Sequence, residues 1–288
     1  MRVDLADGRH LDVVTAGPEA GMPLVFHYGT PGSPVPFPPM VDAAARLGLR
    51  TVLYARPGYA GSTPHPGRRV ADAAADTAAV LDALGLDRFV TAGWSGGGPH
   101  AIACAALLPD RCAGAVSIAG VAPYGPPDLD WTAGMGPENV DEFGAAAAGE
   151  EALTRFLAPI AGDRSFVVAS ELAEALGGLL SDVDRGYLTG DFAEFLADTF
   201  RGALEQGPVG WRDDDLAFVT DWGVPLDRAA GIAIWQGSED RMVPYPHGQW
   251  LAAHLPGARA HLLPGEGHLS IVVGRFAEIL DDLVRHAG

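Results

Sequence analysis

The chain has 288 residues, 48% hydrophobic and 19% charged, enough for one large α/β domain or a core plus a modest insertion. Its formal net charge of −18 argues against nucleic acid or an anionic membrane as a partner. All 19 basic residues are arginine, and the missing lysine excludes a Schiff base, a pyridoxal phosphate linkage and a P-loop.

Strands and helices alternate through the first half. Leu11–Thr15 and Leu24–His27 read as strands, Ala43–Leu47 as a helix stopped by Gly48, and Thr51–Ala55 as a further strand. That strand runs into the turn-rich Arg56-Pro57-Gly58-Tyr59, which reads as structural. Residues 71–84 read as an amphipathic helix, followed by a buried strand over Leu86–Ala92. At Gly93-Trp94-Ser95-Gly96-Gly97 this strand turns abruptly into a small, apolar helix with Pro99 in its first turn. Ala115–Ala119 is the next strand. Strands separated by helix-sized segments predict a mostly parallel sheet with helices on both faces.

From 122 to 210 no strand is legible, and this stretch is read as a helical insertion over the sheet, leaving 1–121 and 211–288 as the core. Leu172, Leu176 and Leu179 form one stripe, and Phe192, Phe195, Leu196 and Phe200 another. Both read first as core, with a substrate wall as the alternative. Asp191 and Glu194 have capping-box spacing, and the run Asp213-Asp214-Asp215 reads as a solvated helix face. The α/β pattern returns with a strand over Gly231–Gln236, a helix over 247–255, a strand over Ala258–Leu263 and a closing helix over 270–286.

Gly-x-Ser-x-Gly between a buried strand and a helix is the nucleophile-elbow pattern, which exposes the serine and sets a helix N-terminus behind it. Serine needs a base, and the base needs a carboxylate to orient it. Beyond the insertion, Asp240 falls in the loop after one strand and His268 in the Gly-rich loop after the next. Loops at the carboxyl ends of parallel strands open on one edge of the sheet, where Ser95 also sits. Glu239, Asp221 and Asp215 compete with Asp240 for the acid. His27 and His100 read as packed histidines beside the site rather than as the base. Gly96–Ala101 also fits a dinucleotide fingerprint, but no acid appears before Asp128 to complete it.

With these motifs the chain resembles the α/β-hydrolase fold superfamily over nearly its whole length. The resemblance rests on Gly93–Gly97, Gly237-x-x-Asp240, Gly267-His268 and Tyr28-Gly29-Thr30-Pro31-Gly32. It implies a Ser95–His268–Asp240 triad and an oxyanion hole from the Gly96 and Thr30 amides. The order His27-Tyr28-Gly29 departs from the family's usual His-Gly and bears on Thr30. Trp94 and Tyr28 are candidate pocket residues.

The implied activity is hydrolysis of a small or medium carboxylic ester or related acyl compound, with no cofactor and no metal. The partner expected is a small-molecule substrate. A lyase or carbon–carbon bond hydrolase using the same triad, or a binding protein on this fold, are the alternatives. Serine as nucleophile argues against the epoxide hydrolases and haloalkane dehalogenases of the superfamily, and Gly-Trp-Ser-Gly-Gly against the proline iminopeptidases. Cys104 and Cys112 read as buried free thiols. The charged start, Met1 to Asp7, shows no signal peptide, and no apolar stretch approaches membrane-spanning length. The expectation is a cytoplasmic protein.

Overall fold

A computed structural model describes residues 1–162 and 167–288. In chain order the first half comprises β1 (Arg2–Asp4), β2 (His10–Ala16), β3 (Met22–His27), α1 (Pro38–Arg46), β4 (Leu49–Tyr54), α2 (Asp72–Ala83), β5 (Phe89–Trp94), α3 (Gly98–Leu107) and β6 (Cys112–Ile118). Among the described residues six α-helices follow: α4 (Pro137–Ala147), α5 (Glu150–Gly162), α6 (Leu172–Ala175), α7 (Asp182–Tyr187), α8 (Gly190–Ala203) and α9 (Val209–Phe218). The chain then closes with β7 (Ala233–Gly237), α10 (Tyr245–His254), β8 (Arg259–Leu263), α11 (His268–Gly274) and α12 (Phe276–Arg285).

The eight strands form one sheet in the order β1-β2-β4-β3-β5-β6-β7-β8. The pairs β1–β2 and β2–β4 are antiparallel and every later pair is parallel, which is the expected α/β class. Every residue of the central β5 is buried, because helices cover both faces and no polar alternation is possible. At the edge, β8 is only half-buried. Two large apolar clusters, built around Phe26 and Trp235 and around Ile102 and Ile234, fill the layers on the two sides.

Between β6 and β7 the described residues hold no strand; residues 163–166 of that range lie outside the described residues. The boundary placed at 210 falls just inside α9. Three local expectations are corrected. The Leu172–Leu179 stripe is not one helix: α6 ends at Ala175 and a 3₁₀ turn spans Gly177–Leu179, where paired glycines weaken an α-helix. Helix α8 is capped by Thr189 without a side-chain bond, so Asp191 lies inside the first turn and makes no capping box. The closing helix is two helices, α11 and α12, broken at Arg275. Both cysteines are free, Cys104 buried and Cys112 half-buried. Among the described residues no helix is long and apolar enough to cross a membrane.

The sharp turn after β5 depends on close backbone approach. Ser95 has φ +57°, a left-handed conformation uncommon for a non-glycine residue. A Cβ on Gly97 would be driven into the carbonyl of His27 at the end of β3. Gly97→Ala is therefore expected to destabilise the fold by about 1–3 kcal/mol or more, read as a lower urea midpoint. Gly144→Ala, in α4 with nothing within 4 Å of the new methyl, is expected to be neutral or to stabilise by up to about 1 kcal/mol.

Candidate active site

The elbow places Ser95 at the carboxyl end of β5, and the loops after β3, β7 and β8 open beside it on the same edge. A cavity of about 360 Å³ lies there, lined by Tyr28, Thr30, Trp94, Ser95, Gly96 and His268 among others. This size suits a small ligand. Gly29 packs directly on the serine: a Cβ there would lie 3.2 Å from Ser95 Cβ.

Of the competing acids, Asp240 meets the histidine. His268 Nδ1 donates to Asp240 Oδ2 at 2.8 Å, with both side chains buried. The carboxylate is held in turn by the Met242 and Val243 amides at 2.9 and 2.8 Å and by Gln236 Nε2 at 3.1 Å. A carboxylate accepting at Nδ1 fixes the tautomer that leaves Nε2 as the acceptor. Glu239 is exposed, Asp221 faces Arg69 at the surface, and Asp215 lines the cavity without contacting His268. His27 and His100 are buried on the far side of the elbow, their rings 6.1 Å apart. Burial, and then neighbouring charge, pushes His100 down to about 3. Burial pushes His27 well below the usual imidazole range. Packed imidazoles are what the sequence reading expected of both.

Trp94 does two things at once. Its ring lines the cavity, and its Nε1 donates to the His268 carbonyl at 3.1 Å. Tyr28 also lines the cavity, with its hydroxyl tied to the Val35 carbonyl at 2.7 Å. The α8 stripe divides: Phe195 stacks on Phe37 in the core, whereas Leu196 and Phe200 face the cavity.

The Asp213–Asp215 run overturns its reading as a solvated face. The three residues are 3%, 0% and 1% exposed. Consecutive helical residues point about 100° apart, so three in a row sweep well beyond any one exposed face. That signal was present in the sequence. Asp214 accepts from Arg56 at 2.6 Å, Arg68 at 2.5 Å, Tyr59 at 2.9 Å and Thr30 Oγ1 at 2.8 Å. Burial alone would raise its pKa, but the Arg56 and Arg68 guanidiniums hold this carboxyl far below the usual range.

Arg56, from the turn read as merely structural, links this carboxylate to the loop beside Ser95. Its Nη1 donates to the Tyr28 carbonyl at 2.6 Å and its Nη2 to the Gly29 carbonyl at 2.8 Å. The Gly29 carbonyl and the Thr30 amide share one trans peptide plane and point in opposite directions. Anchoring the first therefore aims the second.

A second carboxylate missed in the sequence is Asp184 of α7. It accepts from the backbone amides of His268, Leu269 and Ser270 at 3.0, 2.8 and 3.0 Å, closing the N-terminus of α11. Helix α7 thus holds the His268 loop in place. Among the described residues no cluster of His, Cys, Asp and Glu is arranged to hold a metal ion.

A family model described as the alpha/beta hydrolase fold matches residues 22–274. The chain is 34% identical over 152 residues to a non-heme chloroperoxidase of Streptomyces lividans, covering 52% of this chain and only about half, 55%, of that protein. It is 30% identical over 253 residues to a Mycobacterium phage D29 protein named "Putative non-heme haloperoxidase", covering 85% of this chain and 80% of that one. An alpha/beta hydrolase fold protein from Nakamurella multipartita superposes with a TM-score of 0.69 at 27% identity, covering 100% of this chain and 99% of that one.

Asp214→Asn would leave two guanidiniums buried beside a neutral group, and is expected to cost about 3–5 kcal/mol in denaturant unfolding. Folding lowers the pKa of Asp214, so its contribution is full above the ordinary carboxylate range and is lost on acidification below about pH 4. Wild-type stability should fall through that window, and the variant's dependence should be flatter.

Proposed function

This chain belongs to the alpha/beta hydrolase fold family, and on that premise we propose that it is a serine hydrolase acting on a small or medium carboxylic ester or related acyl compound. The observation that carries the reading is the convergence at one cavity. A serine in a left-handed turn faces the same space as a histidine whose Nδ1 donates to a buried aspartate.

In this reading Ser95 Oγ attacks the substrate carbonyl while its proton passes to His268 Nε2. Asp240 holds the imidazole and stabilises the imidazolium. The tetrahedral oxyanion is met by the Gly96 and Thr30 amides, the second aimed by the Arg56 anchor; one such donor is worth roughly 10²–10³ in rate. His268 returns the proton to the leaving alcohol, whose bond to the acyl carbon breaks. Water then attacks the acyl-serine, giving a proton to His268, and the acid departs as Ser95 is reprotonated. The walls of the cavity are largely aliphatic and aromatic, which suits an apolar acyl or alkyl part. Two relatives of the chain are named a chloroperoxidase and a haloperoxidase; the residues gathered here argue for acyl transfer. The helices between β6 and β7 act in this reading as a cap, supplying Leu176, Leu179, Leu196 and Phe200 to the wall.

Intact-mass analysis after a fluorophosphonate probe tests the mechanism. A single adduct on the wild type, absent from Ser95→Ala, is the expected result. Aryl-ester hydrolysis should fall by roughly 10⁶-fold in Ser95→Ala and His268→Ala, and by the smaller factor of about 10⁴ in Asp240→Asn. An adduct that persists in folded Ser95→Ala, or full turnover by it, would overturn the assignment.

A further inference from the structure

The cavity beside Ser95 has a second polar pole that acyl transfer does not use. Among the described residues four carboxyl side chains line it, Glu138, Asp141 and Glu142 from α4 and Asp215 from α9, and no arginine does. Glu138 accepts the Gly178 amide at 2.8 Å, and Asp141 is exposed to water. Glu142 and Asp215 are different, because both are buried.

Glu142 Oε1 accepts from Trp211 Nε1 at 2.8 Å, which fixes that oxygen as an acceptor. Asp215 is 1% exposed, and neither of its carboxyl oxygens receives a donor from any other described residue. What it faces is the Glu142 carboxyl. Two ionised carboxylates offer each other no donor, so only a shared proton joins them. Burial, and then the Glu142 charge, raises the Asp215 pKa well above the carboxylate range, and burial raises that of Glu142.

The nearby arginines pair with other carboxylates, and the Arg68 charge only partly offsets the rise at Asp215. Arg68 bonds Asp214 at 2.5 Å and approaches Asp213 at 3.5 Å, Arg56 bonds Asp214, and Arg212 bonds Asp213 and Glu150. The charge of Asp214 adds to the repulsion at Asp215. The pair is therefore an acidic, donor-poor spot in a cavity whose described lining carries a single basic side chain, His268.

We infer that Glu142 and Asp215 form a recognition site for a primary ammonium group carried by the substrate, whose hydrolysed bond lies at Ser95. An ammonium supplies three donors and a positive charge, and it can displace the proton the pair shares. A hydroxyl supplies one donor and leaves that proton in place. The methylene stem of such a substrate meets Phe143, Phe156, Ile160, Leu179 and Phe200. The substrate class is thus an ester or related acyl compound with an aliphatic amine on its acyl or alcohol part. The hydrolytic half of this statement rests on the serine-hydrolase reading; the binding half does not.

The test is calorimetric titration of the wild-type protein with n-hexylammonium and with hexan-1-ol, in two buffers of different ionisation enthalpy. The ammonium should bind at least about tenfold more tightly than the alcohol. It should also release protons, so that its affinity climbs with pH across the range in which the pair holds its proton. The Glu142→Gln/Asp215→Asn double variant, checked for folding, should lose the preference to within about threefold. Equal binding of amine and alcohol by the wild type would overturn the site. So would ammonium binding without proton release, or with the same preference in the double variant. Hydrolysis of an aryl 6-aminohexanoate against its N-acetyl derivative then joins the two halves, the free amine being expected to give the higher kcat/KM. A protein that binds the ammonium yet takes no fluorophosphonate keeps the site and loses the serine-hydrolase reading.

Discussion

The Asp214 carboxylate is the constraint from which the geometry of this molecule follows. It is fully buried, and burial of an uncompensated charge would be prohibitive. Two guanidiniums and a phenol from the loop after β4 and a threonine hydroxyl from the loop after β3 satisfy it. α9 is thereby fixed to the loops after β3 and β4, and those loops to each other. Arg56 carries the constraint one step further. Because its remaining donors hold the Tyr28 and Gly29 carbonyls, the peptide planes beside Ser95 have no freedom to turn. A charge network some distance from the serine thus sets the direction of an amide next to it.

The same logic recurs at the histidine. A loop ending in Gly267-His268 would ordinarily be free to move, yet three successive amides at its helix start converge on Asp184. Trp94 adds a bond to the His268 carbonyl from the residue preceding Ser95. The backbone around the imidazole is therefore held from the sheet and from the helices between β6 and β7 together, while Asp240 orients the ring itself. Packing of those helices and placement of the imidazole are coupled, since one carboxylate serves both Ser181 in its own segment and the three amides of the histidine's helix.

The sequence made the sheet, the elbow and the Asp240 and His268 loops readable because each is a local pattern. Buried apolar runs, glycines at a forced close approach and a loop after each strand all lie within a few residues. What stayed hidden depends on partners far along the chain. Arg56 and Asp214 are 158 residues apart, and Asp184 and His268 are 84 apart. A charged side chain looks solvent-bound until its partner is known, so Asp214 and Asp184 passed as surface acids or went unread. The capping box at Asp191 failed for the opposite reason. Its local spacing was right, but the helix begins earlier, at Gly190 after Thr189, and the tertiary chain path decided the start. Likewise the break at Arg275 interrupts an apolar pattern that reads as continuous.

Adjacent residues of one helix carry opposite protonation preferences, and this allocation of charge links scaffold to cavity. Asp214 points toward Arg56 and Arg68 and stays ionised; Asp215, about 100° further round α9, points toward Glu142 and holds on to a proton. The arginines that neutralise the first are drawn to it and to Asp213, and no described arginine donates to the second. With no lysine in the chain, there is no flexible ammonium to fill the gap from within. The scaffold's demand for cations therefore leaves the cavity short of one. An incoming group that brings its own positive charge completes what the fold leaves incomplete.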